Sequence, residues 1–320
     1  MGITNFPYGL SSFGQVLNGG MGVGNVYLVC QSAQTTVYAD LNKKYGGVQY
    51  DDESYLFHSS IASALAACVA ERNDYVVLMP DNDDYDLSAT LTMSAKATHL
   101  ICPANMGPSV ATMNGCRVHL HSGTSAHVIT VATGGAEVGG LYIKTCTDKY
   151  GISIPAGSSP SGFGLWIHNN TISFAGASST ADGGIIGASE GGGYSVIENN
   201  KLSGQVASCT HLSGITIDTG ATACVVKKNL IIVGNTETMT TGINMQSYMG
   251  VCNDNDLIEC AASGGTGAGT LTLGISYGVA TMCFGNRIAI TTEANAISGG
   301  TVDETAILNY EGTSGGTIAV

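Results

Sequence analysis

A seven-residue block recurs five times in the second half of the chain, from Trp166 to Ile172, Val196 to Leu202, Val225 to Ile231, Val251 to Leu257 and Met282 to Ile288. Each copy places apolar residues four and three positions before an asparagine and another two positions after it. The asparagines are Asn170, Asn200, Asn229, Asn255 and Asn286, at spacings of 30, 29, 26 and 31 residues. Self-similarity at a period near thirty is the mark of a solenoid, in which each repeat is one coil that cannot bury its apolar face alone.

Between the copies runs a second element, a glycine followed by alternating apolar residues, at Gly140-Leu141-Tyr142-Ile143, Gly184-Ile185-Ile186, Gly214-Ile215-Thr216-Ile217, Gly242-Ile243-Asn244-Met245 and Gly274-Ile275-Ser276-Tyr277. Each coil therefore holds at least two short strands with no room for a crossover helix. The economical arrangement lays each strand on that of the preceding coil, which is an all-β parallel β-helix. Residues at one frame position then stack at the strand spacing of roughly 4.8 Å, and Asn170 to Asn286 are expected to form a ladder of side-chain amides. A ligand-binding role for these asparagines is the rival reading. Their place in turns flanked by core residues, where asparagine readily adopts φ > 0, favours the structural one.

Composition fits this architecture. Only 11% of residues are charged and 45 are glycine, as expected for coils whose turns need φ > 0 and whose outer faces are Ser, Thr and Asn. The net charge is -13, and three arginines and eight lysines are scattered, so no basic stripe awaits a nucleic acid. The longest apolar run, Ala64 to Ala70, is too short for a membrane span, and Met1 to Phe6 has neither a signal-peptide pattern nor a myristoylation motif. The ten cysteines are dispersed; Cys252 and Cys283 occupy the core position held elsewhere by Ile167, Ile197 and Val226. All ten are expected to be free thiols in a protein made in a reducing cytoplasm, with no Cys/His pattern for a metal and no cofactor.

Residues 1–24 are rich in Gly, Ser and isolated aromatics and cannot form a core. They are either a tail or an arm that docks Phe6, Tyr8 and Phe13 on a partner. Asn25 to Val29 reads as a first strand, followed by an irregular polar stretch to about Tyr55. From the plausible N-cap Ser60, apolar residues at Ile61, Ala64, Leu65, Cys68 and Val69 predict an amphipathic helix over 60–72, fit to cover the open end of a solenoid. The expected organisation is residues 1–55 as attachment arm and first strand, 56–75 as capping helix, 76–310 as β-helix and 311–320 as a tail.

Two resemblances add to this. The opening string Asn5-Phe6-Pro7 through Ser11-Ser12-Phe13-Gly14 is similar to the start of bacteriophage virion proteins with a β-helical body. The helix followed by Val76-Val77-Leu78-Met79-Pro80, Tyr85-Asp86-Leu87, Leu91-Thr92-Met93 and His99-Leu100-Ile101 resembles the entry to the pectin-lyase-like right-handed β-helix superfamily, which includes polysaccharide lyases, glycoside hydrolases and phage tailspikes. The resemblance implies a right-handed coil and a homotrimer in a virion assembled in the host cytoplasm. Its partners would be other capsid or tail proteins, with a host-surface glycan as a further ligand.

The chemistry expected of an enzyme in this superfamily is harder to find. A lyase would need an arginine base beside aspartates on successive coils, yet the coiled part has only Arg117 and Arg287. For hydrolysis the best carboxylates are Asp254, Asp256, Glu259 and Glu198, more simply read as solvated turn charges. The acidic run Asp81 to Asp86 lacks the glycine and terminal glutamate of an EF-hand. His119 and His121 share a strand face, and His127 follows nearby, as expected of a polar outer sheet. Two functions stay open: a virion structural protein of capsid-decoration or tail-spike type, and a polysaccharide-degrading tailspike. The single Trp and six Phe favour the first, because sugar-cleaving grooves usually carry aromatic platforms.

Overall fold

The computed structural model describes residues 24–31, 35–80, 84–103, 116–120, 126–145, 149–156, 163–174, 183–189, 191–204, 210–234, 236–260, 269–278, 280–290, 295–299, 306–307 and 310–311. The chain is a parallel β-solenoid of about 7 turns. Three sheets of 11, 9 and 8 strands run its length, so each full turn contributes three strands. The first sheet holds Trp166–His168 and its equivalents, the second Thr171–Phe174 and its equivalents, and the third Gly183–Gly187 and its equivalents. Every ladder between named strands is parallel and in register, as in Ile167↔Ile197, Val226↔Cys252 and Cys252↔Cys283.

Alternation along these strands turns one column inward. Ile167, Ile197, Val226, Cys252 and Cys283 form the inward stack expected from the repeat, each at most 1% exposed, and both cysteines are free thiols. Leu202, Ile231, Leu257 and Ile288 face them from the second sheet, and Ile215, Ile243 and Ile275 from the third, in one continuous core. The glycine before each third-sheet isoleucine permits this convergence. A Cβ on Gly242 would lie 2.4 Å from Leu257 Cδ2 and 2.8 Å from the Gly274 carbonyl oxygen. Gly140 does not belong to that column as its sequence context suggested. Register puts Gly151 opposite Gly184, and Gly140 sits at another corner with φ +73.

That corner joins the first sheet to the second and carries the asparagine ladder. The side-chain amide of Asn200 donates to Asn229 Oδ1 and to the Ile167 carbonyl oxygen, both at 3.0 Å. Its own Oδ1 accepts from the Asn170 amide nitrogen at 3.0 Å and from the Asn170 backbone N–H at 3.1 Å. The pattern repeats at Asn229 and Asn255, so these amides satisfy two donors and two acceptor sites while no more than 1% exposed. One expectation is corrected: the ladder asparagines are not the φ > 0 residues. Their predecessors Asn169, Asn199, Lys228, Asp254 and Gly285 take that conformation, at φ of 54, 54, 54, 55 and 68. The left-handed residue turns the chain sharply, which aims the next side chain into the stack.

The first turns depart from the sequence reading in three places. The stretch expected to be irregular contains helix α1, Thr35–Tyr45, whose Leu41 packs on the outside of the first sheet with Leu28, Phe57, Tyr75 and Val77. The second helix, α2, runs Ile61–Ala67 and is shorter than 60–72, although Ser60 is its N-cap, accepting from the Ser63 N–H at 3.2 Å. It stops because Asp74, fully buried, draws the Val69 N–H at 2.8 Å, while Glu71 and Asn73 turn to φ 66. Ile61, Ala64 and Leu65 of α2 join the main core. Third, Cys102 and Cys116 form a disulfide with their Cα atoms 6.0 Å apart, against the expectation of ten free thiols. The pair ends one strand and precedes the next, closing the base of a 14-residue separation. Cys30, Cys68, Cys224, Cys252, Cys260 and Cys283 are free; Cys146 and Cys209 lie outside the described residues. No described helix is long and apolar enough to cross a membrane.

Candidate functional site

The outward face of the first sheet brings together the chain's most concentrated polar chemistry. Register aligns Tyr75, His99, Glu137 and Trp166 on successive strands as one outward column, and Gly139, His168, Glu198 and Lys227 as its neighbour. Glu137 lies between two imidazoles. His99 Nδ1 is 2.6 Å from its Oε2 and His168 Nε2 is 2.7 Å from its Oε1. Gly139 makes this possible, since a Cβ there would lie 2.7 Å from His168 Cε1 and Nε2.

The outer nitrogens of both rings are also held. His168 Nδ1 is 2.8 Å from Asn169 Nδ2, which leaves Nε2 facing Glu137. His99 Nε2 is 2.7 Å from Asn73 Oδ1. Each imidazole has an aromatic cover: Tyr75 stacks on His99 at 4.2 Å and Trp166 on His168 at 3.8 Å between ring centres. Trp166 donates its indole N–H to Glu198 Oε1 at 2.8 Å, and Lys227 Nζ sits 3.1 Å from Glu198 Oε2. Two contacts thus fix an indole that is 44% exposed.

Electrostatics make this cluster a holder of negative charge rather than a proton donor. Burial pushes the Glu137 carboxyl up, but the hydrogen bonds from His168 and His99 outweigh it and bring the carboxyl down to about 2. Burial also raises Glu198, and the Lys227 and Trp166 bonds bring it below the ordinary carboxylate range. Sequence reasoning had Glu198 as a turn charge and did not single out Glu137, His99 or His168. Their signal was the outward frame position on three neighbouring coils, readable only once Val138 is aligned with Ile167.

The other candidates scatter. The ladder asparagines are buried in the first corner and have no access to solvent. Phe6, Tyr8 and Phe13 lie outside the described residues, as do Asp81, Asp83 and His121. Asp84 pairs with Arg117 at 2.7 Å and Asp86 lies 3.5 Å from His119, so the described end of the acidic run faces side chains of the next coil. His127 Nδ1 accepts from the Tyr150 N–H at 3.2 Å. Asp254 turns a corner, while Asp256, on the adjoining second-sheet strand, bonds Arg287 at 2.9 Å. A further pair escaped notice: His211, in the third-sheet strand Thr210–Ile217, and Glu237, just before the next strand Thr238–Met245, each side chain 1% exposed, with Nε2 and Oε1 at 3.9 Å. Among the described residues no group of three or more His, Cys, Asp or Glu is placed to hold a metal ion.

In comparisons with known proteins, the chain matches no family model, no curated protein and no solved structure.

Proposed function

We propose that this protein is a non-catalytic, projecting β-helix of the kind that bacteriophage virions carry as capsid decoration or tail spike, attached through residues 1–24 and touching a host surface with its body. The observation that supports this reading over polysaccharide cleavage is the state of the outward carboxylates. Glycoside hydrolysis needs one carboxyl kept protonated as the acid and a second left free as base or nucleophile. Here Glu137 is held at about 2 between two imidazoles, Glu198 is tied to Lys227 and Trp166, and Asp256 to Arg287. Each is committed to a neighbour in the same molecule.

The finer features of the fold belong to the same proposal. Crossovers between parallel strands are right-handed in nearly all proteins, which supports a right-handed coil of the pectin-lyase-like type. Helix α2 is read as the lid on the N-terminal end of the core, because Ile61, Ala64 and Leu65 pack with first-turn residues such as Val76. A homotrimer would use the second sheet, where Leu230, Ile232 and Ile258 turn half-buried apolar side chains outward. Purified protein is expected to sediment as a trimer, to release no reducing ends from a polysaccharide panel, and to decorate particles only when residues 1–24 are present. Sustained release of oligosaccharide would move the reading to the enzyme.

A further inference from the structure

South of the Glu137 cluster the first sheet's outward column becomes wholly apolar: Trp166, Val196, Val225, Val251 and Met282 stand in register on five successive strands, with Tyr194 at the adjoining corner. Trp166, Met282 and Tyr194 are 44%, 49% and 62% exposed. The same face is covered by α1 over the first strands, where Leu41 and Tyr38 pack on it. From Trp166 onward no described element covers it. A continuous apolar stripe five strands long, exposed at both ends and half-buried at Val196, Val225 and Val251, calls for an occupant.

We propose that the occupant is the chain's own N-terminal segment, residues 1–23, laid back along the stripe. Three observations carry this. The segment joins the body at the head of the same face: the Gly24 N–H bonds the Asn73 carbonyl oxygen at 3.2 Å, and Val26 pairs with Tyr75, one strand before His99. Its length suffices. The stripe begins four strand spacings from Val26–Val29 and ends eight away, roughly 38 Å at the usual spacing, whereas 23 extended residues reach about 75 Å. Phe13, eleven residues before Gly24, reaches roughly 36 Å and can come level with Val251, leaving Phe6, Tyr8 and Leu10 to carry on past Met282. Its chemistry also fits, since none of the chain's 24 acidic or 11 basic residues falls within residues 1–23, which carry Phe6, Tyr8, Leu10, Phe13 and Leu17. An uncharged, aromatic segment can cover this column without stripping water from a charge. Tethering decides between occupants: a linked segment sees the stripe at an effective concentration of order millimolar, far above that of a second copy in dilute solution.

The inference concerns the free protein, in which residues 1–23 lie on the chain's own body before any exchange to the partner of the proposed function; it does not depend on a virion or on a trimer. The protein carries one tryptophan, and it lies at the head of the stripe, so its fluorescence reads the occupant directly. Acrylamide quenching of Trp166 is measured in the full chain and in a chain lacking residues 1–23, each across a hundredfold dilution series. Removal of the segment is expected to shift emission to the red and raise quenching, independent of concentration, and a synthetic peptide of residues 1–23 added in excess to the shortened chain is expected to reverse both. Val225→Glu in the full chain should mimic the deletion; because Val225 faces outward, circular dichroism serves to confirm that the coil persists. Equal quenching with and without the segment overturns the proposal. So does protection that fades on dilution, which would assign the stripe to a second copy. Particle attachment, tested separately, can fail with the quenching result intact.

Discussion

At the scale of single residues, the strongest determinants are buried polar groups whose bonding is complete. Asn229 is a case: it supplies the acceptor for both the backbone N–H and the side-chain amide of Asn200 at 3.0 Å. Replacing it with leucine leaves both donors buried without partners, at a cost of about 3–5 kcal/mol. Asn170→Leu should be milder by urea denaturation, because Asn170 Oδ1 receives only the Leu141 N–H from the turn before. Equal losses at the two sites would contradict the bonding scheme. Glu137 offers a second test. Its folded value of about 2 lies below the ordinary 4.5, so its contribution is fully present above pH 4.5 and is lost as pH falls toward 2. The shift corresponds to about 3 kcal/mol. The stability difference between the wild type and Glu137→Gln should therefore shrink as pH falls from 4.5 toward 2.

Elements follow from how much of a coil each sequence signal covers. The core columns and the ladder were legible because a period near thirty repeats five times, and strand register then follows by counting. The Glu137 cluster was hidden because its coil has Leu141, not asparagine, at the ladder position, which removes the mark by which it could be aligned. Helix α1 was hidden for a different reason: among its described side chains Leu41 is buried on the outside of a sheet and Tyr38 and Tyr45 rest at the edges, a narrow apolar stripe. Shortening of α2 depended on Asp74, five residues beyond Val69, which no local pattern announces. The disulfide was concealed by sequence distance. Substituting Cys102 and Cys116 by serine is expected to cost about 3 kcal/mol, the chain entropy of a loop of this length. Thiol titration of the unfolded, unreduced chain should find no more than eight of the ten cysteines reactive, the bonded pair being subtracted. Ten reactive thiols would exclude the bond.

For the whole molecule, stability is a sum over neighbouring coils, since each strand hydrogen-bonds only to the strands of the coils above and below. Hydrogen exchange should accordingly be slowest in central strands such as Val196–Glu198 and Val225–Lys227 and faster toward Ile297–Gly299. A uniform protection profile would point instead to a single cooperative unit.

Coil lengths differ, yet the difference is not shared among the corners. On the five ladder coils the count from the inward first-sheet residue to the inward second-sheet residue is five, as from Ile167 to Ile172, Ile197 to Leu202, Val226 to Ile231, Cys252 to Leu257 and Cys283 to Ile288, whereas the disulfide-bearing coil takes 18 from Leu100 to Val118. From the second sheet to the third it is 12 between Ile231 and Ile243 but 18 between Leu257 and Ile275. The amide ladder behaves as a spine of fixed pitch, and the opposite edges as margins where text can be added. A foreign peptide spliced between Cys260 and Gly269 should therefore be carried as a passenger, whereas one extra residue between Ile197 and Leu202 would put every later asparagine out of step. Along its ladder coils the molecule is thereby a scaffold with one edge closed to insertion and others open to it.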